Sequence, residues 1–399
     1  VAVSPDGRWI AAGAVDWTLR LFDASSLAEV ARSSLGNQGA SKVLFSADGS
    51  TVAVTGGRMV RSWRLEVAED GTPSLGEVFA RKPLGDRAIT AGFRGQELIL
   101  RLANGGVERR RAPDLEIEGR VQVAGGGWWL WLHPKELRLL TPADDGDLFL
   151  TTLVGPGDRR RLVGGQGNYV SIRLSRDGGL LAVASPAGQS ASVWDTKTGQ
   201  RVHHILGHWV ERKQANIANW VHRVDFDRHA RRLLTCGSDG TARIWDLRTG
   251  REIHMVKLGA GAVLDGMFSP DGRFVAAACR DGTTHILSAA TGDVVRVLGE
   301  PRPLDARLLV GGRRAMFSPS GRRIVVTPHD PTSKSVVEIY DLQTGDRTHQ
   351  WPGSRVAFAP GEKHVVVSDG HIWDETHRVR VYDLASGDVL FEAEDRLIP

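Results

Sequence analysis

TCGSDGTARIWDLRTG, residues 235–250, is the stretch whose reading decides the fold. Asp239-Gly240 is hairpin turn chemistry, because glycine accepts positive φ and aspartate bonds its own backbone. Leu233 and Leu234 lead in from one side. Thr241, Ala242, Arg243, Ile244 and Trp245 lead out on the other, an alternating run rich in strand-forming residues. Asp246 closes that run, and Gly250 permits a second turn. Glu252-Ile253-His254-Met255-Val256 alternates after it, and Val221-His222-Arg223-Val224-Asp225-Phe226 alternates before it. The unit is four short strands joined by tight turns. Such a meander cannot bury both faces alone, so it must stack on neighbours.

The rest of the chain copies this unit. The turn after the first strand reads SPDG at Ser4, SADG at Ser46, SRDG at Ser175, DRHA at Asp227, SPDG at Ser269, SPSG at Ser318 and APGE at Ala359. Ser4 to Ser46 and Asp227 to Ser269 are each 42 residues. Ser46 to Ser175 is 129 residues, three times 43, which leaves room for two degenerate repeats at 86–122 and 123–155. The second of these takes its strands from Trp128 to Leu132 and Leu137 to Leu140. The count is nine. A strand-rich period in the forties predicts an all-β fold, a β-propeller of about nine four-stranded blades.

Propellers typically have four to eight blades, so nine asks how the rings divide. The expected division is residues 1–85 as two blades ending an upstream propeller and residues 86–399 as a seven-bladed ring. The alternative is one eight- or nine-bladed ring over 1–399. With whole blades at both ends, closure of a single ring rests on side-chain packing between the first and last sheets. The chain opens at Val1 within a strand and is expected to be a fragment of a longer protein.

The third-strand ends read LRLFD, ASVWD, ARIWD, VEIYD and VRVYD. With the SPDG turns, the DGT hairpin and Gly207-His208, they resemble the WD-repeat family over nearly the whole chain. Phe22, Leu287, Tyr340 and Tyr382 stand where that family has Trp. The resemblance implies a buried structural network of His, Ser or Thr, Asp and Trp inside a blade. By position the sixth repeat supplies the full set: His208, Thr235, Asp239 and Trp245. His222 is a rival for the histidine, because an insertion follows His208. The family also implies a scaffold or sensor that binds proteins, and allows an upstream catalytic or NTPase domain in the full-length chain.

Composition bounds the function classes. Forty-three Arg and 8 Lys against 47 acidic residues give a net charge of only +4. Runs such as Arg109-Arg110-Arg111 and Arg159-Arg160-Arg161 are scattered over different repeats, and read as solvated loop arginines rather than a nucleic-acid face. No apolar stretch of about 18 residues is present, so no membrane-spanning helix is expected. Cys236 and Cys279 sit at different offsets from their turns and require no disulfide, which favours a reducing, cytoplasmic compartment.

No GxSxG elbow, P-loop, HExxH or Cys-x-x-Cys pair is present, so no catalytic residue, cofactor or metal site is assigned. The turn Asp144-Asp145-Gly146-Asp147 lacks the alternating ligands of a calcium loop. Three insertions are more informative: 209–220, WVERKQANIANW; 328–335, PHDPTSKS; and 369–377, DGHIWDETH. They lie on loops that emerge on one common face of such a propeller, and loops on a rigid scaffold are where binding residues collect. Trp209, Arg212, Lys213, Trp220, His371, Trp373, Asp374 and Glu375 are the expected partner-binding set, rich in hot-spot residue types.

The expected function is a non-catalytic protein–protein interaction module presenting that face to a protein or peptide. The alternative is a quinoprotein-like or other propeller enzyme, to which the Asp-Leu-x-Thr-Gly turns are similar. It would use a central channel lined by clustered His, Asp and Arg. Small and apolar lining would favour the scaffold.

Overall fold

The computed structural model describes residues 2–13, 18–26, 28–36, 42–69, 71–76, 78–104, 106–122, 131–132, 138–142, 147–152, 159–162, 170–185, 190–208, 220–259, 261–301, 314–327, 336–369 and 376–396. These form nine antiparallel meanders in chain order, each running first strand to fourth. The protein is an all-β propeller of four-stranded blades. The sixth blade consists of Val221–Phe226, Arg232–Gly237, Thr241–Asp246 and Glu252–Lys257. The second blade carries an extra strand, Pro73–Leu75, which folds back on the end of Met59–Val67 before the fourth strand Ala80–Pro83. That extra hairpin lengthens the connection between the third and fourth strands.

First strands pack on one another in turn from the first blade to the third and from the fifth to the eighth, so they line the axis. Second strands are enclosed on both faces, and read as unbroken small or apolar runs: FVAAAC at Phe274–Cys279 and TVAVTG at Thr51–Gly56. Fourth strands alternate exposed and half-buried residues, as an outer rim must. A β-bulge recurs between third and fourth strands at Phe22, Trp194, Trp245, Leu287, Tyr340 and Tyr382. It swings each large side chain into the junction with the neighbouring blade.

Two turn chemistries repeat. In the SPDG turn the Ser269 hydroxyl donates to Asp271 (2.6 Å), and accepts from the Phe274 N–H (2.9 Å). In the DLRTG turn the Asp246 carboxylate accepts from the Arg248 and Thr249 N–H groups. Gly250 there has φ 72°, and a Cβ on it would lie 2.8 Å from His203 Nδ1 of the preceding blade. The glycine thus serves both the turn and a blade-to-blade latch, in which the His203 ring meets the Leu247 carbonyl (2.6 Å). His254 repeats the latch on Ala290 (2.9 Å), and Arg296 repeats it on Leu342 (3.3 Å).

Cores lie between blades. The first and second share Trp9, Leu21, Val52 and Trp63. The second and third share Ala53, Leu84, Leu98 and Leu115. The sixth and seventh share Ile244, Phe268 and Val275, with Cys236 and Cys279, neither in a disulfide, buried among them. The ninth packs on the first: Val366 and Val381 meet Ile10, Phe22 and Ala24 in one cluster. Phe391 of the last strand lies 4.7 Å from Phe22, ring centre to ring centre.

Two expectations need correction. The fourth repeat extends past 155, because its outer strand is Arg159–Leu162. The arginine runs are strand residues rather than solvated loops: Arg109, Arg110 and Arg111 lie in Gly106–Arg111. Arg110 is buried against Glu108 (2.6 Å) and donates to the Leu115 and Pro83 carbonyls. Residues two apart share a strand face, so the two charges neutralise each other inside the blade.

Candidate functional site

The structure brings His208, Thr235, Asp239 and Trp245 together inside the sixth blade. His208 Nδ1 lies 2.8 Å from Asp239 Oδ1, and its Nε2 lies 2.8 Å from Thr235 Oγ1. Trp245 Nε1 donates to Thr235 Oγ1 (2.9 Å). All four residues are buried. Gly237 leaves the room, since a Cβ there would lie 2.3 Å from His208 Nδ1. Asp239 also accepts from the Thr241 hydroxyl (2.8 Å) and from Arg243 Nη2 (3.0 Å). Burial alone would raise the Asp239 pKa. The hydrogen bonds from His208, Thr241 and Arg243 outweigh it and hold the pKa at about 2.

His222, the rival histidine, is not in this network. Its Nε2 lies 3.0 Å from Ser238 Oγ, and its ring meets Trp220 edge-on at 6.0 Å. Burial first, then the nearby His208 and Arg280, push its pKa down to about 4, so it is neutral at physiological pH. Trp220 is 42% exposed at the end of the long insertion, and its backbone exchanges hydrogen bonds with Ser238. An exposed tryptophan anchored by its backbone to a hairpin turn is a preorganised contact. Trp209, Arg212, Lys213, His371, Trp373, Asp374 and Glu375 lie outside the described residues, as does the insertion at 328–335.

Sequence reasoning did not single out the charged residues lining the axis. Arg173 of the fifth blade reaches Asp225 of the sixth (3.6 Å), and Arg223 of the sixth reaches Asp265 of the seventh (3.0 Å). The Phe268 N–H also donates to Asp225 (2.9 Å). Burial raises the Asp225 pKa to about 7, against that hydrogen bond and the Arg223 charge. Burial raises Asp265 as well. The signal was legible as Arg-x-Asp in VHRVDF, with SIRL before it and VLDGMF after it. These four charges step from blade to blade and are engaged with one another.

Among the described residues, no cluster of three or more His, Cys, Asp or Glu is arranged to hold a metal ion. Of the acidic turn, only Asp147 is described, and it accepts from Arg161 Nε (2.6 Å). His203 and His204 point to opposite faces: His203 toward Leu247 and His204 toward Ser192. Among the described residues, no helix is long and apolar enough to cross a membrane.

Comparison with known proteins points one way. The family model described as WD domain, G-beta repeat, matches residues 1–23, 199–246 and 257–287. The chain is 28% identical over 137 residues to autophagy-related protein 16 of Arabidopsis thaliana, covering 33% of this chain and 25% of that one. It is 26% identical over 165 residues to a guanine nucleotide-binding protein subunit beta of Oryza sativa subsp. indica, covering 41% and 42%. It is 25% identical over 176 residues to eukaryotic translation initiation factor 3 subunit I of Culex quinquefasciatus, covering 40% and 50%. The matches thus span a quarter to a half of these curated relatives' lengths. Among solved structures, the computationally designed Ika8 protein superposes with a TM-score of 0.58 at 19% identity, over 77% of this chain and 86% of that one. That likeness is one of fold.

Proposed function

This chain being a WD-repeat protein, we propose that it is a non-catalytic scaffold or sensor module whose loop-bearing face binds a protein or peptide. The observation that carries the reading is Trp220: an exposed aromatic, fixed by backbone hydrogen bonds to the Ser238 turn, at the end of the 209–220 insertion before the sixth blade. Trp209, Arg212 and Lys213 on that insertion, and His371, Trp373, Asp374 and Glu375 on the ninth-blade loop, complete the proposed contact set. Two of the relatives are named as subunits, which fits a role inside assemblies. The His208 network is read as structural, since its hydrogen-bonding groups are spent on one another. A cytoplasmic setting, and service to an upstream catalytic or NTPase domain, belong to the same reading.

We take the nine blades as one ring. Phe22 against Phe391, and the shared core of the second and third blades, support it over a break after residue 85.

The test is affinity capture with the wild-type chain beside a Trp209→Ala, Trp220→Ala, Trp373→Ala variant, with folding followed by circular dichroism. Partners that vanish from a folded variant place binding on this face. Partners retained in full rule the face out.

A further inference from the structure

In four blades the turn after the first strand closes on its own aspartate. Ser4 Oγ donates to Asp6 (2.5 Å), which accepts from the Arg8 N–H (3.1 Å). Ser46, Asp48 and the Ser50 N–H repeat this (2.7 and 3.1 Å), as do Ser175, Asp177 and the Gly179 N–H (2.6 and 3.0 Å). Ser269, Asp271 and the Arg273 N–H do so in the seventh blade (2.6 and 3.0 Å). The eighth blade reads SPSG at 318–321, so Ser320 stands where these have aspartate. Its hydroxyl is a poor substitute. Ser318 Oγ lies 3.2 Å from it and the Arg322 N–H reaches it at 3.3 Å, both long for their kind.

The missing carboxylate arrives from the next blade. The ninth blade's turn reads APGE at 359–362, with Glu362 where the other turns have Gly7, Gly49, Gly178, Gly272 and Gly321. Glu362 keeps their left-handed backbone, at φ 54°, which is unfavourable for a residue with a Cβ. Its carboxylate offsets that cost. It accepts from the Ser320 N–H and from the Ser320 hydroxyl (2.8 Å), and lies 3.8 Å from Arg323 Nη1. At the second-to-third seam the polarity is reversed: Asp48 of the earlier turn accepts from Gln96 of the later one. The eighth-to-ninth latch therefore depends on the proton of the Ser320 hydroxyl, on an exposed residue.

We propose that Ser320 is a phosphorylation site, and that its phosphate unlatches the ninth blade's turn from the eighth. A protein kinase transfers the γ-phosphoryl group of ATP. The Ser320 Oγ–P bond forms, the P–O bond to ADP breaks, and the hydroxyl proton leaves. The ester oxygen has no proton left to give Glu362. The new group carries about −1.5 to −2 charge within reach of that carboxylate, so the two repel. The phosphate instead stands in for the aspartate of the other turns, with the Ser318 hydroxyl, the Arg322 N–H and Arg323 as donors. Arg322 is exposed and Arg323 half-buried just after the acceptor, which offers cations to an acidic kinase groove. First-to-second strand turns emerge opposite the loop face proposed above, so the site shares none of its residues.

The test uses a serine kinase selected for turnover of the free peptide SPSGRRI, residues 318–324. The folded wild-type chain and Ser320→Ala are treated with that kinase and ATP, and phosphate is located by mass spectrometry. Hydrogen exchange and melting temperature are then compared between the treated chains. Phosphate is expected on Ser320 of the folded chain. Amide exchange over 359–364 is expected to quicken about tenfold relative to treated Ser320→Ala, with a lower melting temperature. Glu362→Gln restores the polarity of the Asp48–Gln96 seam, so phosphorylation of that variant is expected to leave exchange unchanged or slower. A kinase-independent arm gives the same signs: Ser320→Asp is expected to melt below wild type, and Ser320→Asp with Glu362→Gln to recover. A folded chain that takes no phosphate at Ser320 while the peptide is turned over overturns the site. Phosphorylated chain with unchanged exchange overturns the unlatching, as does equal opening in Glu362→Gln or a Ser320→Asp loss that Glu362→Gln does not recover.

Discussion

Thr235 is the hub of the buried network because a hydroxyl both accepts and donates. With His208 Nδ1–H directed at Asp239, the Thr235 hydroxyl gives its proton to His208 Nε2 while accepting from Trp245 Nε1. Removing that oxygen strands two polar groups inside the blade at once. Thr235→Val, which keeps the shape, is therefore expected to lower stability by about 1–3 kcal/mol, with Thr235→Ser close to wild type. Urea titration followed by tryptophan fluorescence measures it, and equal midpoints for Thr235→Val and wild type would show that the network contributes nothing. The set was legible in sequence because its residue types and spacing are particular. Arg61 of Met59–Val67 was not: it is buried with both terminal guanidinium nitrogens lacking a hydrogen-bond partner, which RMVRSWR does not show.

Strands were legible where the turns between them were chemically explicit. Ser-x-Asp-Gly and Asp-x-x-Thr-Gly mark element ends by hydrogen bonds that any reader of the sequence can draw. The arginine runs misled, because burial of Arg110 depends on Glu108 beside it and on carbonyls of Pro83 and Leu115, which no local pattern reveals. The axis-lining first strands carry a pH consequence. The Asp225 pKa is raised from the ordinary 3.8 to about 7 by burial, with Arg173, Arg223, Asp265 and the Phe268 N–H around it. Between those two values the folded state holds a proton that the unfolded state has lost. Stability from this carboxyl is thus full below about pH 4 and declines as pH rises through 7. Asp239 has the opposite sign: its contribution is full above 3.8 and is lost as pH falls toward 2. Asp225→Asn keeps an acceptor for Phe268 and cannot ionise. It is expected to be more stable than wild type at pH 8, with the advantage shrinking toward pH 4.5 in chemical denaturation. An advantage independent of pH would mean that Asp225 titrates normally.

At the scale of the molecule, the repeat period predicted nine units but not how they close, because a contact such as Phe22 with Phe391 joins opposite ends of the chain. Ile10, Phe22 and Ala24 look like any first-blade core until Val366, Val381 and Phe391 are set against them. Junctions of this kind carry the stability of stacked repeats, so removing blades exposes two apolar faces rather than one. If residues 86–399 closed a ring by themselves, deleting the first two blades would leave that ring intact. In a single ring, the same deletion uncovers Ala91, Leu98 and Leu100 of the third blade and Val366 and Val381 of the ninth. The truncated chain is then expected to melt well below the full chain, to bind a hydrophobic dye such as ANS, and to self-associate through the uncovered faces. Calorimetry with dye fluorescence decides between the two. A truncated chain that stays monomeric, dark to the dye and as heat-stable as the whole would mean that the first two blades stand outside the ring, and that the Phe22–Phe391 contact closes nothing essential.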